Sequence, residues 1–140
     1  MHNGLMSTGS IQELDQDECR ELLKVGRFAR IAFDTGDQLE LLPVNYAYDD
    51  GIILIRTSET SGLSTIVDRR FVLEADHHDD TYQTGWSVVV RGTATRATKE
   101  QLEEFGTRLP NSWVAAEGAA VHIAITIDDV RGRRVRQFPG

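Results

Sequence analysis

Residues 39–63 read LELLPVNYAYDDGIILIRTSETSGL, and this stretch decides the fold. Leu39 to Tyr48 has the length and composition of a strand, apolar on both faces in its first half, which places it deep in a sheet. Asp49-Asp50-Gly51 is a tight hairpin turn, because glycine takes positive φ without steric cost. Ile52 to Thr57 is then the returning antiparallel strand. Pro43 has no N–H for a sheet ladder, so it marks a bulge or an unpaired edge. Beyond the hairpin, Ser58-Glu59-Thr60-Ser61-Gly62 is a polar loop leading into Leu63-Ser64-Thr65-Ile66-Val67, read as a short helix. Hydroxyls and N–H groups at such a place suit an anion. By composition alone they read first as the caps and turns of the helix start.

Working outward, Asp15 and Glu18 have capping-box spacing, and Cys19, Leu22 and Leu23 recur at helical intervals, so a helix opens at Asp15 and stops near Gly26. Cys19 falls on the apolar stripe and reads as a small buried hydrophobe rather than a reactive thiol. Phe28 to Phe33 is a strand closed by Thr35-Gly36-Asp37. Phe71 to Ala75 is a short strand. After it, Asp76-His77-His78-Asp79-Asp80 invites a metal reading, but adjacent residues of an extended chain point to opposite sides, so the run reads as a solvated loop. Gly85 to Arg96 is a long strand in which Gly92 marks a bulge or a close backbone approach. Thr98 and Gln101 cap a second helix carrying Leu102 and Phe105, broken at Pro110-Asn111-Ser112. Ala120 to Ile127 is a strand with His122 on its solvent face, and Val130 to Val135 extends it after a bend at Asp128-Asp129.

About six strands joined mainly by hairpins, without long crossover helices, exclude a doubly wound parallel sheet and favour a small, mainly β, antiparallel six-stranded barrel with short flanking helices. At 140 residues the chain reads as one domain over residues 11–140, with residues 1–10 disordered. No apolar run approaches the ~20 residues of a membrane helix. There is no secretory signal in the first ten residues, and a single cysteine forbids an internal disulfide, which together read as cytoplasmic. The formal net charge of -7 argues against a nucleic-acid partner. The basic cluster, Arg131 to Arg136, reads as solvated surface that can also meet an anion.

The chemistry-bearing patterns are few. The chain has no nucleophile elbow, Walker loop, zinc-type cysteine pairs or dinucleotide glycine fingerprint. With so little acid–base machinery of its own, an enzyme built on this chain would have a cofactor carry the reaction.

Taken in order, LDQDECRELL followed by VGRFARIAF, then LLPVNYAYDDGIILIRT with its loop, FVLEAD, TGWSVVVRGTATR and the closing VRGRRV resemble the flavin-binding split-barrel superfamily, specifically the pyridoxamine 5'-phosphate oxidase-like proteins. The resemblance spans roughly Leu14 to Val135. It implies a six-stranded antiparallel split barrel and a homodimer with FMN at the subunit interface. It implies that Pro43, Val44 and Asn45 lie along the flavin ring, and that Arg56 and Thr57 approach the ribityl phosphate. Ser61, Gly62 and Leu63 form the phosphate loop, and Trp86 and Ser87 touch the cofactor from the second subunit. The implied function is FMN-dependent oxidoreduction.

One position departs from that pattern. Many relatives carry a Lys just before the Leu that opens the short helix, and here that position is Gly62, with Glu59 adding a negative charge nearby. One lost charge-assisted contact costs about 1.5–3 kcal/mol, or roughly ten- to a hundredfold in affinity. Arg56, alone or with Arg69 or Arg70, is the available compensation. Two other functions therefore stand beside the first: a deazaflavin-dependent reductase, and a non-enzymatic binding module whose flavin site is weakened or lost.

Overall fold

The computed structural model describes residues 9–105, 108 and 120–137. The chain runs β1 (Gly9–Leu14), α1 (Gln16–Val25), β2 (Phe28–Asp34), β3 (Leu39–Asp49), β4 (Ile52–Ser58), a 3-10 helix (Gly62–Asp68), β5 (Phe71–Asp79), β6 (Thr84–Arg96), α2 (Lys99–Phe105) and β7 (Ala120–Gln137). All strand pairings are antiparallel, in the order β1-β7-β4-β3-β2-β5-β6, with β6 also pairing to β7. That last pairing closes β2 to β7 into a ring, the split barrel that the sequence led us to expect.

The strand count is seven rather than six. The additional strand is β1, which lies against the far end of β7 with Gly9 opposite Gln137 and Leu14 opposite Gly132. Four of its six residues are exposed and only Leu14 is buried, so it carries almost no hydrophobic signal. Residues 9 and 10, expected to be disordered, are thus its first two residues. Two further elements outrun their sequence reading. β5 continues through His77 and His78 instead of breaking into a loop, because Asp76 to Asp79 pair with Ser87 to Thr84. β7 passes through Asp128-Asp129 as one strand. The expected break at Pro110-Asn111-Ser112 lies outside the described residues.

The turn and cap chemistry is as the residues dictate. Asp50 and Gly51 both have positive φ, at 45° and 80°, as a primed two-residue hairpin requires. The Glu18 backbone N–H donates to Asp15 Oδ1 at 2.8 Å and the Asp15 N–H returns to Glu18 Oε1 at 3.4 Å. The same reciprocal box joins Thr98 and Gln101 at α2. Inside the barrel, Ile31, Phe33, Tyr46, Ile53, Ile55, Leu73, Val88, Val90, Ile123 and Ile125 form the core. The 3-10 helix adds Leu63 and Ile66, and α1 adds Cys19 and Leu23. A smaller cluster of Ala47, Leu54, Ala124 and Phe105 seats α2 on the opposite face of the sheet.

The β3 strand is not apolar on both faces in the sense expected. Val44 is buried, but Leu39 and Leu41 are 78% and 63% exposed, and Pro43 is exposed beside them. The cause is the split itself. β3 is hydrogen-bonded to β2 along its length, from Asn45 opposite Phe28 to Leu39 opposite Asp34, but pairs with β4 only from Tyr46 to Asp49.

Candidate functional site

The β3–β4 ladder ends where Tyr46 faces Ile55. Beyond that pair, Leu39–Val44 shows no pairing on its β4 side among the described residues, and β4 runs on through Arg56, Thr57 and Ser58 with β7 as its neighbour. The Tyr46 N–H is directed at the Arg27 carbonyl, on the β2 side, at 3.1 Å. Backbone groups alternate along a strand, so the Pro43 nitrogen faces the opening, where its missing N–H breaks no ladder bond. The register against β2 runs without a shift, so Pro43 marks an edge and not a bulge. The opening between β3 and β4 is the candidate site.

Hydroxyl groups line one end of it. The Oγ atoms of Thr57 and Ser61 are in hydrogen-bond contact. Ser61 Oγ also reaches the Ser58 carbonyl at 3.1 Å, and Ser58 and Thr60 join their hydroxyls at 3.0 Å. Thr57 and Ser58 are buried. Ser64 and Thr65 donate to the carbonyls of Ser61 and Gly62 at 3.4 and 2.6 Å. These residues thus do act as local turn groups, and Ser61 makes no side-chain cap to the helix it precedes. Leu63 is buried and anchors the loop to the core. Gly62 is exposed, and a Cβ there would meet only the Phe33 ring, at an ordinary 3.6 Å. The position therefore accepts a side chain.

Arg56 and Thr57 do not point the same way. Thr57 turns toward Ser61, whereas Arg56 shares the opposite face with His122, its register partner on β7. Its Nε is buried without a hydrogen-bond partner among the described residues. His122, expected to face solvent, is half-buried, and burial together with the Arg56 charge lowers its pKa. Asn45 is partly buried and its Nδ2 donates to the Arg27 carbonyl at 3.3 Å. Trp86 and Ser87 sit on β6, whose ladder neighbours are β5 and β7. The Trp86 ring lies 6.5 Å from that of His77, and Ser87 opens onto the outer face of the sheet. Within one chain, then, the structure gathers Thr57, Ser61, Gly62 and Leu63 at one end of the opening and Pro43 to Asn45 along its β3 side. Trp86 and Ser87 lie on a different wall of the barrel.

The outer face holds groups that the sequence did not single out. Arg30 donates to Asp76 at 2.8 Å and lies 3.5 Å from Glu74. Burial, then the adjacent Asp76, push the Glu74 pKa up to about 7, against the opposing pull of Arg30. One guanidinium serves two carboxylates here, and Asp76 takes its hydrogen bond. The signal was present as Arg30, Glu74 and Asp76 on alternating strand positions, but only the β2–β5 register brings them together. Among the described residues no group of His, Cys, Asp and Glu is arranged to hold a metal ion, and no helix is long and apolar enough to cross a membrane.

Comparison with known proteins gives this geometry its relatives. The profile of the pyridoxamine 5'-phosphate oxidase family matches residues 15–134. The chain is 34% identical over 135 residues to the uncharacterized protein Rv0080 of Mycobacterium tuberculosis, covering 92% of this chain and 88% of that one. Among solved structures, a FAD-binding protein of Mesorhizobium loti superposes with a TM-score of 0.75 at 21% identity, covering 89% of this chain and 97% of the other. A FAD-binding protein of Mycobacterium smegmatis does so at 0.68 and 25% identity, over 89% and 98% of the two chains. A match of this length, on a barrel split between β3 and β4, makes the chain a member of the pyridoxamine 5'-phosphate oxidase family.

Proposed function

We propose that the chain binds a flavin, FMN, in the opening between β3 and β4, and that it works as an oxidoreductase in a homodimer. The observation that carries this reading is the Leu39–Val44 edge, which on its β4 side has no strand partner among the described residues, beside the hydroxyl cluster of Thr57 and Ser61. An isoalloxazine ring needs a flat slot with a few polar groups at its edge, and a strand edge next to buried apolar side chains offers both. Pro43, Val44 and Asn45 would lie along the ring. Thr57 and Ser61 would turn toward the phosphate, while Arg56, on the opposite face of β4 beside His122, brings no cation to that end. Trp86 and Ser87, on another wall, would reach the cofactor of the second subunit. Bound flavin supplies two-electron chemistry, and the chain's own residues bind it, orient it and exclude water.

The phosphate end is short of charge. Its hydroxyl donors are committed to neighbouring carbonyls, and Gly62 brings no cation. FAD in place of FMN is the second reading, favoured by the two FAD-binding proteins that share the fold. The test is the visible spectrum of the purified protein after incubation with FMN, FAD or a deazaflavin and removal of free ligand. Flavin absorbance eluting with the protein is the expected result. No retained flavin at excess FMN and FAD would overturn the reading in favour of a module without this cofactor, and preference for the deazaflavin would favour a deazaflavin-dependent reductase. A Cβ at Gly62 meets nothing closer than the Phe33 ring at 3.6 Å, and Gly62→Lys should bring an ammonium to the loop and tighten FMN binding roughly tenfold or more, as seen by fluorescence titration.

A further inference from the structure

We propose that the outer face of β6 and β7 carries a second site, for a small molecule with more than one anionic group, held by Arg91, Arg131 and Arg133. The β6–β7 register sets Ser87 opposite Arg133, Val89 opposite Arg131 and Arg91 opposite Asp129. Val88, Val90 and Val130, at the intervening positions, are buried in the core. Strand alternation therefore sends Ser87, Val89, Arg91, Arg131 and Arg133 outward together. They line a cleft of about 630 Å³, walled on its far side by Ile11 and Glu13 of β1 and by Gln16. That volume lies within the range of small-molecule sites.

The charge balance of the cleft points to what it takes. Three guanidiniums face one lining carboxylate, Glu13, in a chain whose overall charge is -7. Arg131 pairs with Asp129 at 3.3 Å while remaining 80% exposed. Arg91 and Arg133 make no ion pair among the described residues. Gln16 is already committed, donating to the Val130 carbonyl at 2.7 Å. What remains is a set of donors: two guanidinium forks without an ion pair among the described residues and one lightly paired. Guanidinium forks match the paired oxygens of phosphates and carboxylates. Arg91 and Arg133 are separated by about 13 Å along the strands, which suits a ligand with charge at two ends better than a single small ion. Asp129 lies opposite Arg91 and is held by Arg131, and the acidic groups across Val89 and Ser87, Glu74 and Asp76, are engaged with Arg30. Glu13 at the rim would turn away ligands whose charge extends past Arg133. Ser87 is shared with the flavin reading, so the three guanidiniums alone define this second site.

The test is isothermal titration of the purified full chain, without added flavin, with pyrophosphate and with citrate at low salt. Saturable binding is expected, weakened roughly tenfold or more in Arg91→Ala and in Arg133→Ala. Arg96→Ala, on the same strand but outside the cleft, should bind as the native protein does. Thermal midpoints of the three variants establish that each is folded. The absence of saturable binding with both probes would overturn the proposal, and so would equal weakening in Arg96→Ala. Whether flavin is retained is read separately by absorbance, so each idea fails on its own measurement.

Discussion

Glu74 is the side chain whose charge the fold controls most directly. Its pKa is raised to about 7 from an ordinary value of 4.5, chiefly by burial and then by Asp76. The folded state therefore holds a proton that the unfolded chain releases between those values. Stability from this group is present below pH 4.5 and is lost as pH rises through 7. Glu74→Gln removes the dependence. The variant should gain on the native protein by about 1–2 kcal/mol between pH 5 and pH 8, a figure reduced for partial exposure, in urea titrations at the two pH values. A native protein whose stability is flat across that window would show that Arg30 holds Glu74 ionised. At this scale the sequence was legible wherever the partner was near in the chain, as in the Asp15–Glu18 and Thr98–Gln101 boxes. It was not legible for Glu74 with Arg30, or for Arg91 with Arg131 and Arg133, because residues 44 and 40 positions apart meet only through strand register. Arg56 and Thr57 are the exception in kind. Alternation along a strand already implies that neighbours diverge, and the structure divides them accordingly.

Among the elements, the hairpin of β3 and β4 was legible because Asp50-Gly51 has no comfortable alternative to a primed turn. The β1 strand was illegible, since five of its six residues bury little and, apart from Leu14 in the core, its support is the backbone of β7. The continuation of β5 through His77 and His78 was hidden for the same reason: exposed strands display polar composition. Gly92 shows the opposite case, in which one residue type exposes a whole element's geometry. The β6–β7 register shifts between Arg91 and Gly92, and a Cβ on Gly92 would overlap the Thr126 carbonyl. Backbone on the partner strand cannot yield as a side chain can. Gly92→Ala should therefore cost about 2–3 kcal/mol in a urea unfolding curve. A cost below half a unit would mean that β7 slides freely past the bulge.

For the molecule as a whole, the flavin proposal needs a second subunit, because Trp86 and Ser87 lie on a different wall from Thr57 and Ser61. Leu39 and Leu41 give the outer face of β2 and β3 an apolar rim suited to being covered. Light scattering of the native protein should give about twice 15.6 kDa. Leu41→Asp should shift it to the monomer while circular dichroism stays native. A native protein that is already monomeric would rule out the shared-site reading and leave the arginine cleft untouched. The closed ring itself has a kinetic consequence. β7 alone hydrogen-bonds to β1, β4 and β6, and it follows all of them in the chain. A nascent chain that has not reached Ala120 holds unsealed edges on β4 and β6 and has no partner for β1. Barrel closure is thus a late event dominated by distant pairings, which places refolding in the millisecond-to-second range. Until then those two edges are the part of the chain most exposed to aggregation during synthesis.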